Sequence, residues 1–360
     1  MPLNNQWKDG CPLPVTIIDV AREANVSPST VSRVISDSPR ISERTKRKVR
    51  QVMDRLNYHP NFQARNLAAK STKTIGVIMS HSTSLAFQNP FFPEVIRGIC
   101  TSAHSNKYGM YLSTGGNEEE IYQEVESMVK SRKVDGIILL YSKMNDRTLA
   151  FLKEADFPFT MVGRPYQYED EITYIDNDNR KIAYELVNYL VNLGHKQIAF
   201  IGGNLEYVVS LDRLGGFKSA LKDLNLQYIE DYIIHNQDQD TNDIESIRQL
   251  MNLEVPPTAL IAHDDSVAYE IIRHLEELSI RVPDDISIIS FNNHALSAFV
   301  KPPLTTVDIS IFQLGLEAAN YLFEKINNTQ IPIKNRFIPT TLIERQSTKA
   351  LTIDAIKYKR

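Results

Sequence analysis

The stretch VSPSTVSRVI, Val26 to Ile35, carries four hydroxyl side chains, one proline and one arginine among apolar residues. On a short helix that composition suits contact with a nucleic acid. Ser27 and Thr30 hydroxyls, together with the free N–H groups of a helix start, match phosphate oxygens. Ser29 and Ser32 are small enough to let a backbone approach, and Thr30 adds a methyl group. Arg33 is long enough to reach guanine O6 and N7 in a major groove, or a phosphate. An ordinary capped helix in an α-helical subdomain fits the same ten residues, so the neighbouring elements must decide.

Those elements fit a helix-turn-helix. Thr16-Ile17-Ile18-Asp19 reads as a capped helix start, with Ile17, Val20, Ala21 and Ala24 on one face. Asn25 and Val26 form the turn. Ser27 caps the next helix and Pro28 takes its first position, where a missing N–H costs nothing. A third helix is expected from Ser42-Glu43 to about Asn57, with Val49, Val52, Met53 and Leu56 inward and Arg44, Lys46, Arg47, Lys48 and Arg50 in its early turns. Three short helices, the first two joined by a tight turn, make the motif whose second helix enters the major groove. Charge agrees. Val15–Lys73 holds 12 Lys/Arg against 5 Asp/Glu, a net of +7, which leaves −11 for the rest of a chain that totals −4. A basic head on an acidic body suggests a polyanion-binding module joined to something else, although a solvated charged face would look similar.

Behind the head the texture changes. A helix-compatible segment, Phe62 to Lys70, is too short and polar to be stable alone. Then come TIGVIMS (74–80), MYLSTG (110–115), DGIILL (135–140), FPFTMVG (157–163), ITYIDND (172–178), QIAFIGG (197–203), ALIAHDD (259–265) and ISIISFNN (286–293), separated by helix-length segments. Such alternation means βαβ units and parallel sheets. The strands are too many for one sheet, so the class is α/β with two doubly wound subdomains, and a ligand cleft is expected at their strands' carboxyl ends.

VTIIDVAREANVSPSTVSRVI, ERTKRKVRQVMDRLNYHPN and ARNLA, followed by NPFF (89–92), DGII (135–138), GHKQIAFIGG (194–203), DRLGGF (212–217) and PPLTTV (302–307), resemble the LacI/GalR family of bacterial transcription regulators. The resemblance runs from Val15 to about Arg345. The head motif is highly specific; the body motifs are weak singly but stand in the family's order. IDNDN (175–179), QNPFFP (88–93) and the VSPSTVSRVI head look most like maltose-operon repressors within that family. The resemblance implies a periplasmic-binding-protein-like body and a homodimer on a palindromic operator. It implies base-reading positions at Pro28, Ser29 and Arg33, with Thr16, Ser27, Thr30 and Ser32 beside them as DNA contacts. It makes Asn61 to Ala69 a hinge helix that folds on the operator, with Leu67 wedged into the minor groove and Ala64 beside it. A lone leucine on a polar helix makes sense as a wedge that unstacks a base step; it would also serve to pack a linker onto the body.

The resemblance also implies an effector, a small sugar such as maltose or a maltodextrin, that releases the operator. Arg213 matches the family's effector-binding arginine; its planar fork of donors suits vicinal hydroxyls or a carboxylate, and its plainest other fate is a surface pair with Asp212. Asp264 and Asn292 end strands where these proteins hold ligands. Many relatives carry an aspartate where this chain has Asn292-Asn293, and an amide holds a hydroxyl without adding charge. Arg164 replaces an acidic residue of some lactose-type members and would give the cleft a second arginine. Phe87, Phe91, Phe92, Tyr141 and Tyr207 could stack on a sugar ring or simply fill the core. His263 is the histidine that could face the cleft.

The domain plan expected is a disordered tail (1–14), a helix-turn-helix (15–59), a hinge (60–72), one lobe from 73–175 with 305–332, and another from 176–304 with 333–360. No phosphate loop, GxSxG elbow or HExxH motif points to an enzyme. Cys11 and Cys100 make neither a disulfide framework nor a zinc site, and no cofactor is implied. The absence of an apolar run of membrane-spanning length, and of a secretory start, gives the expectation of a cytoplasmic protein with no membrane partner. Two other readings share these features: a catabolite-control-type regulator that needs a phosphoprotein corepressor, and a sugar-binding protein without DNA function.

Overall fold

In the computed structural model, which describes residues 7–8, 11–12, 15–58, 71–79, 83–235, 244–328 and 330–351, contacts divide the chain after Thr72. In the N-terminal tail, expected to be disordered, β1 (Trp7–Lys8) pairs antiparallel with β2 (Cys11–Pro12). The residues between them in sequence, Asp9-Gly10, are a pair that favours tight hairpin turns, a signal the tail's lack of apolar pattern hides.

The head is built by local rules. Helix α1 (Ile17–Glu23) begins with a reciprocal cap: the Thr16 hydroxyl accepts from the Asp19 N–H, and the Asp19 carboxylate accepts from the Thr16 N–H at 3.0 Å. Asn25 turns the chain at φ 50°, a region asparagine enters more readily than most residues, and the Val26 N–H bonds back to the Ala21 carbonyl. Ser27 then caps α2 (Pro28–Ile35). Ser42 caps α3 (Glu43–Arg55), which ends about two residues before the expected stop. Val20, Ala21, Ala24, Val31, Val34, Val49 and Val52 form the shared core. None of these helices is long enough to persist alone in water; burying that common apolar face holds them. The expected hinge helix, with Asn61, Ala64 and Leu67, lies outside the described residues.

The larger unit alternates strand and helix. In order it comprises β3 (Thr74–Ile78), α4 (Thr83–Gln88), α5 (Phe91–Asn106), β4 (Gly109–Leu112), α6 (Glu118–Lys130), β5 (Gly136–Leu139), α7 (Arg147–Glu154), β6 (Phe159–Val162) and β7 (Tyr174–Asp176). There follow α8 (Asn179–Asn192), β8 (Ile198–Gly202), α9 (Val208–Asp223), β9 (Ile233–His235), α10 (Ile244–Met251), β10 (Ala259–Ala262), α11 (Asp265–Glu277), β11 (Ser287–Phe291), β12 (Thr305–Asp308), α12 (Ile311–Asn327), β13 (Asn335–Phe337) and β14 (Thr341–Ile343). Among the described residues of this unit these strands form two six-stranded sheets, ordered β4-β3-β5-β6-β7-β13 and β9-β8-β10-β11-β12-β14. Apart from the antiparallel β12–β14 pair, neighbours run parallel, with registers such as Val77 opposite Ile138 and Ile261 opposite Phe200. Strands β5, β8, β10 and β11 are buried along their whole length, as a parallel sheet covered by helices requires.

The C-terminal third crosses between lobes differently from the expected plan. The sequence pattern places residues 305–332 in the first lobe, yet β12 pairs with β11 in the second sheet, Thr306 opposite Ser290. Helix α12 returns to the first lobe and packs on α5, so closely that a Cβ on either Gly98 or Gly315 would collide with the facing backbone. The same pattern places residues 333–360 in the second lobe, yet β13 extends the first sheet beside β7 before β14 closes the second. The chain therefore crosses between Asp176 and Asn179, between Asp308 and Ile311, and between Phe337 and Thr341. TTVD (305–308) has no apolar run, so the sequence pattern hides a strand whose backbone completes the exposed side of β11.

Both sheets reverse strand order beside their first strand: β4 lies on one side of β3 and β5 on the other, and β9 and β10 flank β8 likewise. Ligands of doubly wound sheets sit at the carboxyl ends of the strands at such a switch point. Here those ends carry Met79, Leu140 and Tyr141 in one lobe and Gly203, His263 and Asp264 in the other.

Candidate functional site: a recognition helix and an interlobe cleft

On the head, Thr16, Ser27, Pro28, Ser29, Ser32 and Arg33 are exposed and Thr30 is partly so, while Val31 and Val34 of the same helix are buried. The Ser27 hydroxyl accepts from the Thr30 N–H at 3.2 Å and sits 2.8 Å from the Ser29 hydroxyl and 2.9 Å from that of Thr30. Rotatable donors and acceptors are thus gathered at the start of α2. Among the described residues the Arg33 guanidinium makes no ion pair or hydrogen bond. The basic run of α3 is less open than its sequence suggests. Lys46 is buried and bonded to Asp37 at 3.1 Å and Glu43 at 3.0 Å, and Arg50 pairs with Asp37 at 2.7 Å. Arg44, Arg47 and Lys48 remain exposed.

The cleft is organised around Arg213, on the second turn of α9, with 3 % of its surface exposed. Its Nε donates to Asn179 Oδ1 at 3.0 Å, Nη1 donates to the His263 carbonyl, and the guanidinium lies over the Phe291 ring, 3.9 Å from its centre. Nη2 has no partner among the described residues. Burial lowers the Arg213 pKa to about 10, opposed by the charges of Asp264, Asp176 and Asp265, so the group is cationic at neutral pH. The sequence offered Asp212 as the plain partner of Arg213. Instead Asp212 takes Arg164, whose Nη2 and Nε approach it at 2.9 and 3.2 Å. Arg164, expected as a second cleft arginine, is committed to this interlobe ion pair and to Glu169 at 3.4 Å.

Asp264 caps α11 through the Val267 N–H and accepts from Asn89 Nδ2 of the other lobe at 3.3 Å. Asn292 and Asn293 both have positive φ, 103° and 52°. Asn293 is tied down by Asp308 and Arg345, whereas the Asn292 side chain makes no hydrogen bond among the described residues. His263 is half-buried, and its Nδ1 is buried without a partner among the described residues; burial first, and then Arg213, lowers its pKa to about 4, so it is a neutral ring. Phe92, nominated for ring stacking, packs edge-on against Phe91 at 5.4 Å inside the core instead. Tyr141 lies at the end of β5 beside Asp146, and burial pushes its pKa well above normal.

The two lobes are also stitched at the backbone. Met144 N–H donates to the Glu206 carbonyl at 2.9 Å and Val208 N–H to the Ser142 carbonyl at 3.1 Å, while Lys143 Nζ spans Glu118 at 2.9 Å and Glu206 at 3.0 Å.

Residue types alone did not single out three further groups. Asp265 is completely buried and accepts from the hydroxyls of Ser290, Ser297 and Thr306 and from the His294 N–H, at 2.5–2.6 Å. It holds together the strand ends that present Asn292. Asp176 and Asn179 contact the Arg213 neighbourhood; the IDNDN motif was the available signal. His294 is buried with both ring nitrogens unpartnered among the described residues. Among the described residues no His/Cys/Asp/Glu cluster could hold a metal ion, and no helix is long and apolar enough to cross a membrane.

Comparison with known proteins decides between the readings of α2. Residues 16–61 match the model for bacterial regulatory proteins of the lacI family, and residues 187–348 match a periplasmic binding protein-like domain. The HTH-type transcriptional regulator MalR of Staphylococcus xylosus is 38 % identical over 94 % of this chain and 99 % of its own. The chain belongs to the LacI family. This LacI-family protein is similar in structure to the lac repressor dimer bound to operator and an anti-inducer, with a TM-score of 0.81 at 27 % identity over 94 % of this chain and 100 % of that one. It is also similar to a probable maltose operon repressor of Staphylococcus aureus, with a TM-score of 0.69 at 30 % identity over 77 % and 98 % of the two chains. It is a LacI-family transcriptional repressor, with a helix-turn-helix and two parallel-sheet lobes, and the relatives it matches are regulators rather than enzymes.

Proposed function

We propose that this repressor binds a near-palindromic operator as a homodimer in the cytoplasm and is released by a small sugar of the maltose or maltodextrin type. Two α2 helices read the half-sites, with Pro28, Ser29 and Arg33 at base edges, the hydroxyls of Ser27 and Thr30 on phosphates, and Thr16 and Ser32 beside them. Two hinge helices, Asn61 to Ala69, meet at the centre, where each inserts Leu67 into the minor groove with Ala64 beside it. The sugar occupies the interlobe cleft against Arg213, Asp264 and Asn292, with Tyr141 on the facing lobe. The observation that carries this reading is Arg213: a buried cation beside the switch-point strand ends whose Nη2, without a partner among the described residues, can donate to a saccharide hydroxyl. Maltose is favoured by the MalR resemblance, at 38 % identity to one such regulator and in the structural likeness to another described as acting on a maltose operon. The sugar need only prefer one arrangement of the lobes; moving the dimer from mostly bound to mostly free takes about 5 kcal/mol of differential affinity.

The test is a gel shift of the full-length protein on DNA from upstream of its own gene, with maltose, maltotriose or phosphorylated phosphocarrier protein added. Release by saccharide supports the reading. Tightening by the phosphoprotein would favour a catabolite-control-type regulator, and indifference to all duplexes would leave only a sugar-binding protein. Analytical ultracentrifugation of the same sample should give twice the chain mass.

A further inference from the structure

We infer that Asn179 is the positioning residue for Arg213, and that Asp176 decides which way the Asn179 amide faces; this rests on the reading of Arg213 as an effector ligand. An arginine fork is useful to a ligand only when its plane and its free edge are fixed. Three contacts fix this one: Asn179 Oδ1 at Nε, the His263 carbonyl at Nη1, and the Phe291 ring against the guanidinium face. Two of them come from the second sheet. The third comes from the first turn of α8, three residues beyond the end of β7 where the chain crosses between sheets.

An amide can present either its oxygen or its nitrogen, so something must choose. Asn179 Nδ2 donates to Asp176 Oδ1 at 3.0 Å and to the Asn177 carbonyl at 3.2 Å. Both are pure acceptors, which forces the oxygen towards Arg213. Asp176 is itself pinned: Oδ1 accepts from the Asn177 N–H at 2.7 Å, and Oδ2 accepts from the Arg164 N–H of the first lobe at 2.8 Å. Gly216 sets the spacing. A Cβ there would collide with the Arg180 carbonyl, so α8 and α9 pack backbone to backbone and bring Arg213 within reach of Asn179. The result is a continuous line of bonds, from the Arg164 backbone through Asp176 and Asn179 to Arg213 and the His263 carbonyl. It ties the effector-facing guanidinium to the strand that joins the lobes.

The chemistry predicts an unusual substitution pattern. Asn179→Ala leaves the buried Nε–H without an acceptor. Asn179→Asp offers Arg213 an opposite charge but sets it against the Asp176 carboxylate, which can donate only by taking up a proton. The double variant Asn179→Asp with Asp176→Asn restores one donor between the two side chains and one acceptor for Arg213. Two readouts are taken on the full-length protein. One is the Nε–H signal of Arg213 in arginine-labelled protein without ligand, assigned with Arg213→Lys. The other is calorimetric titration with maltose and maltotriose, with operator binding as the check on folding. Asn179→Ala and Asn179→Asp should each shift the Arg213 signal, speed its exchange with water and weaken saccharide binding about 10- to 100-fold, the range for losing one hydrogen bond to a charged group. The double variant should recover most of both.

An unchanged Arg213 signal in Asn179→Ala, or an Asn179→Asp variant that binds saccharide as the wild type does, overturns the inference. If the single variants fail to fold, the double variant decides: a folded double variant with a wild-type-like signal upholds the relay, and one with a displaced signal refutes it. If the wild type binds no saccharide, the effector reading fails, and the Arg213 signal alone then judges whether Asn179 positions it.

Discussion

Arg213 and Arg33 are the same residue type in opposite physical situations, and their consequences differ accordingly. Arg33 is exposed on the outer face of α2 and unpaired among the described residues. Arg33→Ala should therefore cost about 1–3 kcal/mol of specific operator affinity while random duplex binding barely changes; fluorescence anisotropy on both duplexes checks it, and an equal loss on both would make Arg33 a phosphate contact only. Arg213 is buried between carboxylates, so Arg213→Ala should abolish the response to inducer while operator binding persists, measured as release from labelled operator by maltose. Asp176 adds a pH signature. Burial, with Asp212 of α9 adding to it, raises its pKa from 3.8 to about 6 against the opposing pull of the Arg164 and Asn177 N–H donors and of Arg213. A carboxyl raised on folding favours the folded state below its unfolded pKa, and that contribution is lost as pH rises through the folded value. The stability gap between wild type and Asp176→Asn should thus move by up to about 3 kcal/mol between pH 4 and 7, with the wild type relatively better at the acid end; denaturant melts at several pH values measure it. Much of the recognition helix was legible because Ser27, Pro28 and Arg33 act through their own helix. Asn179 and Asp265 were not, because their roles depend on which strand ends lie beside them. Lys46 shows the converse: a basic residue in a basic run, spent internally on Asp37 and Glu43.

Among the elements, the segments 142–144 and 206–208 act as a clasp between the lobes. Each of their two main-chain bonds contributes on the order of 1 kcal/mol, and the pairs of half-buried Lys143 with the exposed Glu118 and Glu206 add less. Val208→Pro removes the N–H that reaches Ser142 yet suits the first position of α9, where proline fits a helix. It should widen the interlobe distance distribution measured between spin labels on the two lobes and weaken saccharide binding about 2- to 10-fold; an unchanged distribution would show that the clasp does not hold closure. The eight apolar runs read from the sequence all correspond to strands of the two sheets, because buried parallel strands carry their signal in their own residues. Strands β9, β12, β13 and β14 were not legible. NRF (335–337) is exposed, TTVD is half threonine, and both are strands only because a neighbour's backbone needs pairing. The same blindness displaced the expected lobe crossing from 308–311 to a point before β12.

At the scale of the whole molecule, charge and linkage join the parts. The head's +7 against −11 elsewhere directs a duplex to the helix-turn-helix. Because Lys46 and Arg50 are partly neutralised by Asp37 and Glu43, phosphate contacts should come from fewer cations than the count suggests, and the salt slope of operator binding should be correspondingly shallower. On the proposed function the effector acts only through its preference between lobe arrangements, so saccharide and operator are expected to weaken each other's binding by the same factor. The most direct test is an anisotropy titration of full-length protein onto labelled duplex from upstream of its own gene, at about 0.1 M salt, with and without saturating maltose or maltotriose. The account predicts at least about 10³-fold preference over random duplex, lost on adding saccharide. Equal affinity for both duplexes, or operator binding that no saccharide changes, would contradict it.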